Sequence, residues 1–276
     1  MSVVKVKAGG SHEGRRAFPL LSRQTEDLGL FLEDQTEAKL SKWRETLFGV
    51  EYLLLLASPV YYGLGVPHGD GSGVILIPAF LEWESYLGTM RNWLRRIGYR
   101  AYESGIGLNA ECPNLLIEHQ LSQTLKKARR ESGKKVHLIG HSLGGIIALS
   151  LAAQRSEDVA SVITLASPFR GTVAHRTVLA STELVRKFIL LQHGSKVLPE
   201  CYTGHCTCDF VDSLRRQLPA TVAHTAIYTR NDGMVDWRFC MTGKPEIDVA
   251  VPGTHSGLAF NPTVYTAVAF RLAQSG

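Results

Sequence analysis

The stretch HLIGHSLGGIIALSLA, His137 to Ala152, sets a serine between two glycines, with an apolar run before it and a small-residue helical pattern after it. A serine at the tip of a sharp strand-to-helix turn has a strained backbone, and glycines beside it leave room where side chains would strike the adjoining strand and helix. Gly140, Gly144 and Gly145 meet that need. The turn also puts Ser142 at the head of the next helix, where unpaired amides can hold a developing oxyanion, and the Leu143 amide is the expected donor. The chemistry would be attack of a hydroxyl on a carbonyl. A Gly-x-Ser-x-Gly pattern alone also suits a phosphate-binding or purely structural turn. The strand before it and the helix after it favour the nucleophile.

A serine hydroxyl is too weakly acidic to attack an ester unaided; it needs a base within hydrogen-bond reach and a carboxylate to orient that base. The elements that must position these groups are legible along the chain. GVILIPAF is a continuous β-branched run, as in a strand buried on both faces of a parallel sheet. After it come the helix YLGTMRNWLRRIGY, the strand RAYESG, the amphipathic helix NLLIEHQLSQTLKKARRESG ended at Gly133, the strand KKVHLIG, the helix LGGIIALSLAAQRS and the strand VASVITLA. Such alternation predicts an α/β fold with a mostly parallel sheet flanked by helices. The rhythm breaks between SPFRGT and HTAIYTR, returns with TAIYTR and IDVAVPG, and closes with the helix PTVYTAVAFRLAQ.

In these blocks the chain resembles the α/β-hydrolase superfamily, and within it the compact bacterial lipases and carboxylesterases. The resemblance runs from Gly73 to Ala273 and is carried by VILIPAF, by VHLIGHSLGG followed by VITLASPFRGT, and by IYTRNDGMVDW followed by VPGTHSGL. It implies an α/β-hydrolase fold and the order nucleophile, acid, histidine. His255 in GTHSGL follows the last strand, precedes the last helix and matches the block in which those enzymes carry the base. Among the ten histidines, His224 starts a strand and so lies at the wrong end of the sheet, and the His141 side chain is expected to turn away from Ser142. Asp232, directly after TAIYTR, matches the family's acid; an Asn-Asp-Gly turn chosen for its backbone is the plain alternative, and Asp236 is the second candidate. The resemblance gives the second oxyanion amide to Phe80, although Ala79 stands where such loops usually carry glycine. Phe169 replaces a histidine common in related lipases.

A chain of 276 residues with 45% hydrophobic content can form one large domain with additions. Residues 1–72 read as an N-terminal extension, mobile over about the first 20 residues and then helical, because Leu40, Trp43, Leu47, Val50 and Leu54 recur at helical spacing. That apolar face has to dock. Residues 73–276 form the hydrolase domain, with an insertion at about 172–220 whose segment VLASTELVRKFILLQ is either a cap over an apolar pocket or a helix packed on the core.

The net charge of +5 is spread over RNWLRRIGYR and LKKARRESGKK as solvated helix faces, and no nucleic-acid motif accompanies it. MSVVKVKAGGSHEGRR has no apolar core of signal-peptide length, which points to the cytoplasm, with secretion by another route left open. VEYLLLLASPVYYGLG is broken by Glu51 and Pro59 and falls short of the roughly 20 residues of a membrane span, so it reads as a buried or interfacial helix. Of five cysteines, Cys112 stands alone in sequence; CYTGHCTC fits a disulfide, most readily from this loop to Cys240, or free thiols, and its spacing suits zinc poorly even with His205.

The expected activity is therefore cleavage of hydrophobic carboxylic esters through an acyl-enzyme, without metal or organic cofactor. The partner is a small hydrophobic ester, not a nucleic acid, with interfacial contact through the cap left open. A thioester, lactone or amide hydrolase, a non-catalytic binding protein and a zinc enzyme centred on CYTGHC are the alternatives.

Overall fold

The computed structural model describes residues 36–37, 40, 42–171 and 173–276; the expected mobile start lies outside them. Six strands form the central sheet: β1 (Gly73–Ile77), β2 (Arg100–Glu103), β3 (Val136–His141), β4 (Val159–Leu165), β5 (Ala223–Tyr228) and β6 (Asp248–Ala250). Their order is β2-β1-β3-β4-β5-β6, and every neighbouring pair is parallel. Every residue of β1 and β3 is buried, which accounts for the unbroken apolar run of β1, whereas β3 buries two histidines, His137 and His141, among its apolar residues.

Successive side chains of a strand point to opposite faces, and two cores follow. Ile75, Ile77, Leu138 and Val162 belong to one, under α3 (Ser122–Ser132), α4 (Leu143–Gln154) and α6 (Asp209–Arg215); Val74, Leu76, Ile139 and Ile163 belong to the other, under α2 (Gly88–Arg96) and α7 (Pro262–Ala273). The helix expected from Asn114 to Gly133 is divided: a short α-turn, Pro113–Leu115, and a π-helical stretch, Leu116–Leu121, precede α3. Gly133 ends it with φ +69°, the left-handed cap its lack of a side chain allows.

The N-terminal helix exists, as a 3-10 turn at Lys42–Leu47 running into α1 (Phe48–Ala57), but it docks by a different face from the one its spacing suggests. Trp43, Leu47, Val50 and Leu54 are 65, 43, 53 and 57% exposed. The residues turned inward are Leu55 and Glu51. The docking is mixed: Leu55 enters the apolar core and Tyr52 meets the Phe260 ring, while Glu51 turns to the loop after β6, whose Thr254 amide needs an acceptor. The segment Val50 to Gly65 is correspondingly divided, with Leu55 and Val60 buried and Leu53, Tyr62 and Leu64 exposed.

Trp93 fixes this segment on the domain. It is fully buried, its indole lies 4.5 Å from the Tyr265 ring, and its Nε1–H donates to the Val60 carbonyl at 2.7 Å. After β4, α5 (Arg176–His193) forms the body of the insertion. Of its apolar residues Ile189 is buried, whereas Leu184, Phe188 and Leu191 face solvent. Among the described residues no helix is long and apolar enough to cross a membrane. Trp93→Ala should cost about 3–5 kcal/mol, through the lost ring and the orphaned carbonyl, read as a large fall in Tm.

Candidate active site

Ser142 sits between β3 and α4 with φ 51° and ψ −120°, a conformation an L-residue holds only under strain. The strain is fixed from both sides. The Ser142 amide donates to the Leu165 carbonyl at 2.8 Å, and the Ser142 carbonyl accepts from the Gly145 amide at 3.0 Å. A Cβ at Gly140 would overlap the Gly144 carbonyl, and one at Gly144 would overlap the Ile77 and Pro78 carbonyls. The strand, the helix and the end of β1 can meet only because these positions are glycine.

That contact carries the loop after β1 over the head of α4. Leu143 opens α4, so its N–H has no acceptor within the helix. Phe80 follows β1 by three residues and lines the same cavity as Ser142 and Leu143. Asn109 braces the loop: its Nδ2 donates to the Pro78 carbonyl at 2.8 Å, and its carbonyl accepts from the Leu81 amide at 2.8 Å. The left-handed residue of the loop is Leu81, with φ 60°, and not Ala79. Alanine in the usual glycine place therefore costs the backbone nothing.

Asp232 and His255 meet directly. His255 Nδ1 lies 2.7 Å from Asp232 Oδ2, while Asp232 Oδ1 accepts from the amides of Met234 and Val235, both at 2.8 Å. Their side chains are only 1% exposed for Asp232 and 7% for His255. Asp236 is engaged elsewhere, accepting from the Arg238 guanidinium. Burial opposes the imidazolium of His255, but the Asp232 carboxylate, its hydrogen bond and Glu45 outweigh burial and raise the pKa above the ordinary value. No hydrogen bond joins the Ser142 hydroxyl to another described residue.

His141 contributes something its sequence position does not suggest. Its Nε2 lies 3.0 Å from the His255 carbonyl, its ring centroid is 5.0 Å from that of His255, and the Tyr86 ring stacks on it at 5.7 Å. Burial, the neighbouring His255 and a smaller opposing hydrogen bond set its pKa at about 3, so it is neutral. Two glutamates of the N-terminal segment also reach the site. Glu45 accepts from the amides of Gly233, His255 and Ser256, and Glu51 from the amide and hydroxyl of Thr254. The one sequence signal for them was Glu51, a charge inside an otherwise apolar run.

The cavity has a volume of about 260 Å³ and is walled by Phe80, Ile146, Val178, Tyr202 and Phe210 around Ser142. Val178, Thr182 and Arg186 of α5 close one side, so the insertion faces the cavity with these residues and not with Leu184, Phe188 or Leu191. The cysteines depart from the expected tether. All five are free thiols; Cys201 contacts Cys112, with sulfurs 3.2 Å apart, and Cys240 packs in a separate cluster with Ala174, Tyr228 and Val235. The Cys201 thiol donating to Cys112 lowers the Cys112 pKa to about 7 against the effect of burial. Among the described residues no group of three or more His, Cys, Asp or Glu side chains is placed to hold a metal.

Six parallel strands with a serine elbow after β3, an acid-bearing turn after β5 and a histidine loop after β6 decide the architecture. The fold is that of the α/β-hydrolases. Residues 108–196, which include the elbow, match the family model of the PGAP1-like alpha/beta domain. Similar solved structures include the naproxen esterase (carboxylesterase NP) of Bacillus subtilis, 13% identical over 86% of this chain and 100% of that one, with a TM-score of 0.44. A monoacylglycerol lipase of Paleococcus ferrophilus is 15% identical over 76% of this chain and 97% of its own, with a TM-score of 0.47. An extracellular alpha/beta-hydrolase of a Paenibacillus species is 15% identical over 74% and 99%, also at 0.47.

The elbow geometry makes one substitution decisive. Gly144→Ala forces a methyl group into two backbone carbonyls that cannot yield separately, and should destabilise the protein by about 3 kcal/mol or more, measured by denaturant unfolding.

Proposed function

We propose that the protein is a serine hydrolase that cleaves hydrophobic carboxylic esters through an acyl-enzyme on Ser142. The observation that carries this reading is the buried hydrogen bond between Asp232 and His255 Nδ1, 2.7 Å long, in a site whose elbow serine opens on an apolar cavity. With Nδ1 committed to Asp232, His255 offers Nε2 to the reaction.

In this mechanism Nε2 takes the Ser142 proton as Oγ attacks the ester carbonyl carbon, and Asp232 stabilises the imidazolium that forms. The amides of Leu143 and Phe80 hold the tetrahedral oxyanion. The intermediate collapses, the carbon–oxygen bond to the alcohol breaks, and His255 returns its proton to the departing alkoxide. Water then attacks the acyl-enzyme by the same route in reverse, giving the free acid and Ser142. Side chains, amides and water suffice for every step.

The size and apolar walls of the cavity suit a small acyl or aryl group. In the same reading residues 172–220 act as the cap, with α5 and Tyr202 forming the wall that selects that group.

A fluorophosphonate should label Ser142 and abolish hydrolysis of p-nitrophenyl esters in proportion to labelling, as located by peptide mass spectrometry. Ser142→Ala should fold normally and lose turnover; substantial residual activity would rule out the assignment. Asp232→Asn should lower kcat by about 10³–10⁴-fold through loss of the oriented, stabilised imidazole, whereas Asp236→Asn should stay within about tenfold of the parent. The base works only when neutral, and its pKa is raised, so kcat/KM should fall as pH drops through a limb above about 6.5.

A further inference from the structure

Three chain segments remote in sequence converge behind the histidine: the turn after β5, the loop after β6, and the 3-10 turn with α1 that precedes the sheet altogether. Glu45 Oε1 accepts from the Gly233 amide at 2.9 Å and from the His255 amide at 3.2 Å; its Oε2 accepts from the Ser256 amide at 2.9 Å. One carboxylate thus links the residue after Asp232 to the backbone of His255 itself. Beside it the Arg44 guanidinium donates to Asn231 Oδ1 at 3.1 Å, which ties the same helical turn to the residue before Asp232.

Glu51, two turns further on, holds the root of the loop. It accepts from the Thr254 amide at 3.1 Å, the Thr254 hydroxyl at 2.7 Å and Asn261 Nδ2 at 3.4 Å. A Cβ at Gly253 or Gly257 would strike this carboxylate, so the loop is shaped to receive it. Apolar packing explains only part of the contact: Leu55 is buried in the core and the Tyr52 ring meets Phe260 at 5.3 Å, but Trp43, Leu47, Val50 and Leu54 remain exposed while Glu51 is turned inward.

We propose that Glu45 is a positioning residue for the base: it fixes the Asp232 turn and the His255 loop at one spacing and supplies a second negative charge that favours the imidazolium formed during reaction. The N-terminal helix is then a working part of the active site and not an appendage to the domain. The inference rests on the serine-hydrolase reading above.

The charged and titratable groups around His255 are few. Asp232 meets its ring and Glu45 its amide; Glu51 stands on the preceding residue, the Tyr86 hydroxyl donates to the following carbonyl, and His141, neutral through burial, lies against the ring. Asp232 and Glu45 therefore face the histidine itself, Glu51 stands one residue back, and the cation beside Glu45, Arg44, is turned to Asn231 Oδ1. Removing the Glu45 charge has to make the imidazolium less favourable, which moves the base's titration to lower pH.

The test is the pH dependence of p-nitrophenyl ester hydrolysis by the full chain, with turnover expressed per site titrated by fluorophosphonate. Glu45→Gln keeps the shape, removes the charge and sets an NH₂ group against the Ser256 N–H. Its acidic limb should move down by about half a pH unit, with kcat per titrated site about 10- to 100-fold lower and KM within about twofold. Glu45→Asp keeps the charge on a shorter arm, so its limb should stay at the parental pH while kcat per site falls at least about fivefold. A merely structural glutamate would lower Tm and the number of titratable sites but leave the limb and the turnover per site unchanged, and that result would overturn the proposal. A parent protein that is not labelled at Ser142 would instead overturn the hydrolase reading itself.

Discussion

Asp232 is a carboxylate removed almost wholly from water, and the rest of the site is arranged around the cost of that burial. An ionised carboxylate in such a place persists only if hydrogen bonds replace its hydration. Two backbone amides and His255 Nδ1 supply them. The pair then constrains the loops that carry it: the turn after β5 must fold back on itself, and the loop after β6 must bring an imidazole to within hydrogen-bond distance. Both are irregular up to short 3-10 turns, Trp237–Phe239 in the first and Ser256–Phe260 directly after His255 in the second. Their amides are satisfied in turn by Glu45 and Glu51, so one buried charge is held in place by the backbone and two further carboxylates hold that backbone.

The sheet sets where these groups can be. Phe80, Ser142, Asp232 and His255 all follow the carboxyl ends of parallel strands, β1, β3, β5 and β6. Open parallel sheets place their sites at that edge. Strain is concentrated in the same region: Leu81, Ser142, Ala166 and Tyr202 are the non-glycine residues with positive φ among those described. Leu81, Ser142 and Tyr202 belong to the loops around the cavity, and Ala166 follows β4 beside the elbow, so the backbone departs from comfortable geometry around the candidate site.

Much of this was legible in the sequence because it follows from local rules. An unbroken apolar run gave the buried strand β1, the strand and helix rhythm gave β3, Gly133 marked the end of α3, and Gly140 with Gly144 marked the elbow. What escaped depends on contacts that no local pattern encodes. The spacing of Trp43, Leu47, Val50 and Leu54 follows a helix but does not say which face docks, and the answer depended on amides some 200 residues away that needed acceptors. The same distance hid Glu45. Cys112, isolated in sequence, meets Cys201 across 89 residues, and Ala79 looked anomalous only because the strained φ of its loop belongs to Leu81.

The central claim is that Ser142, the Leu143 and Phe80 amides and the Asp232–His255 pair form one acyl-transfer centre. Its most direct test is a crystal structure of the protein after reaction with a fluorophosphonate. The account predicts phosphorus bonded to Ser142 Oγ, its oxygen about 3 Å from both amides, and His255 Nε2 within hydrogen-bond reach of Oγ or the remaining ester oxygen. A phosphonyl oxygen turned to solvent or to other donors, or an adduct on a different residue, would contradict it.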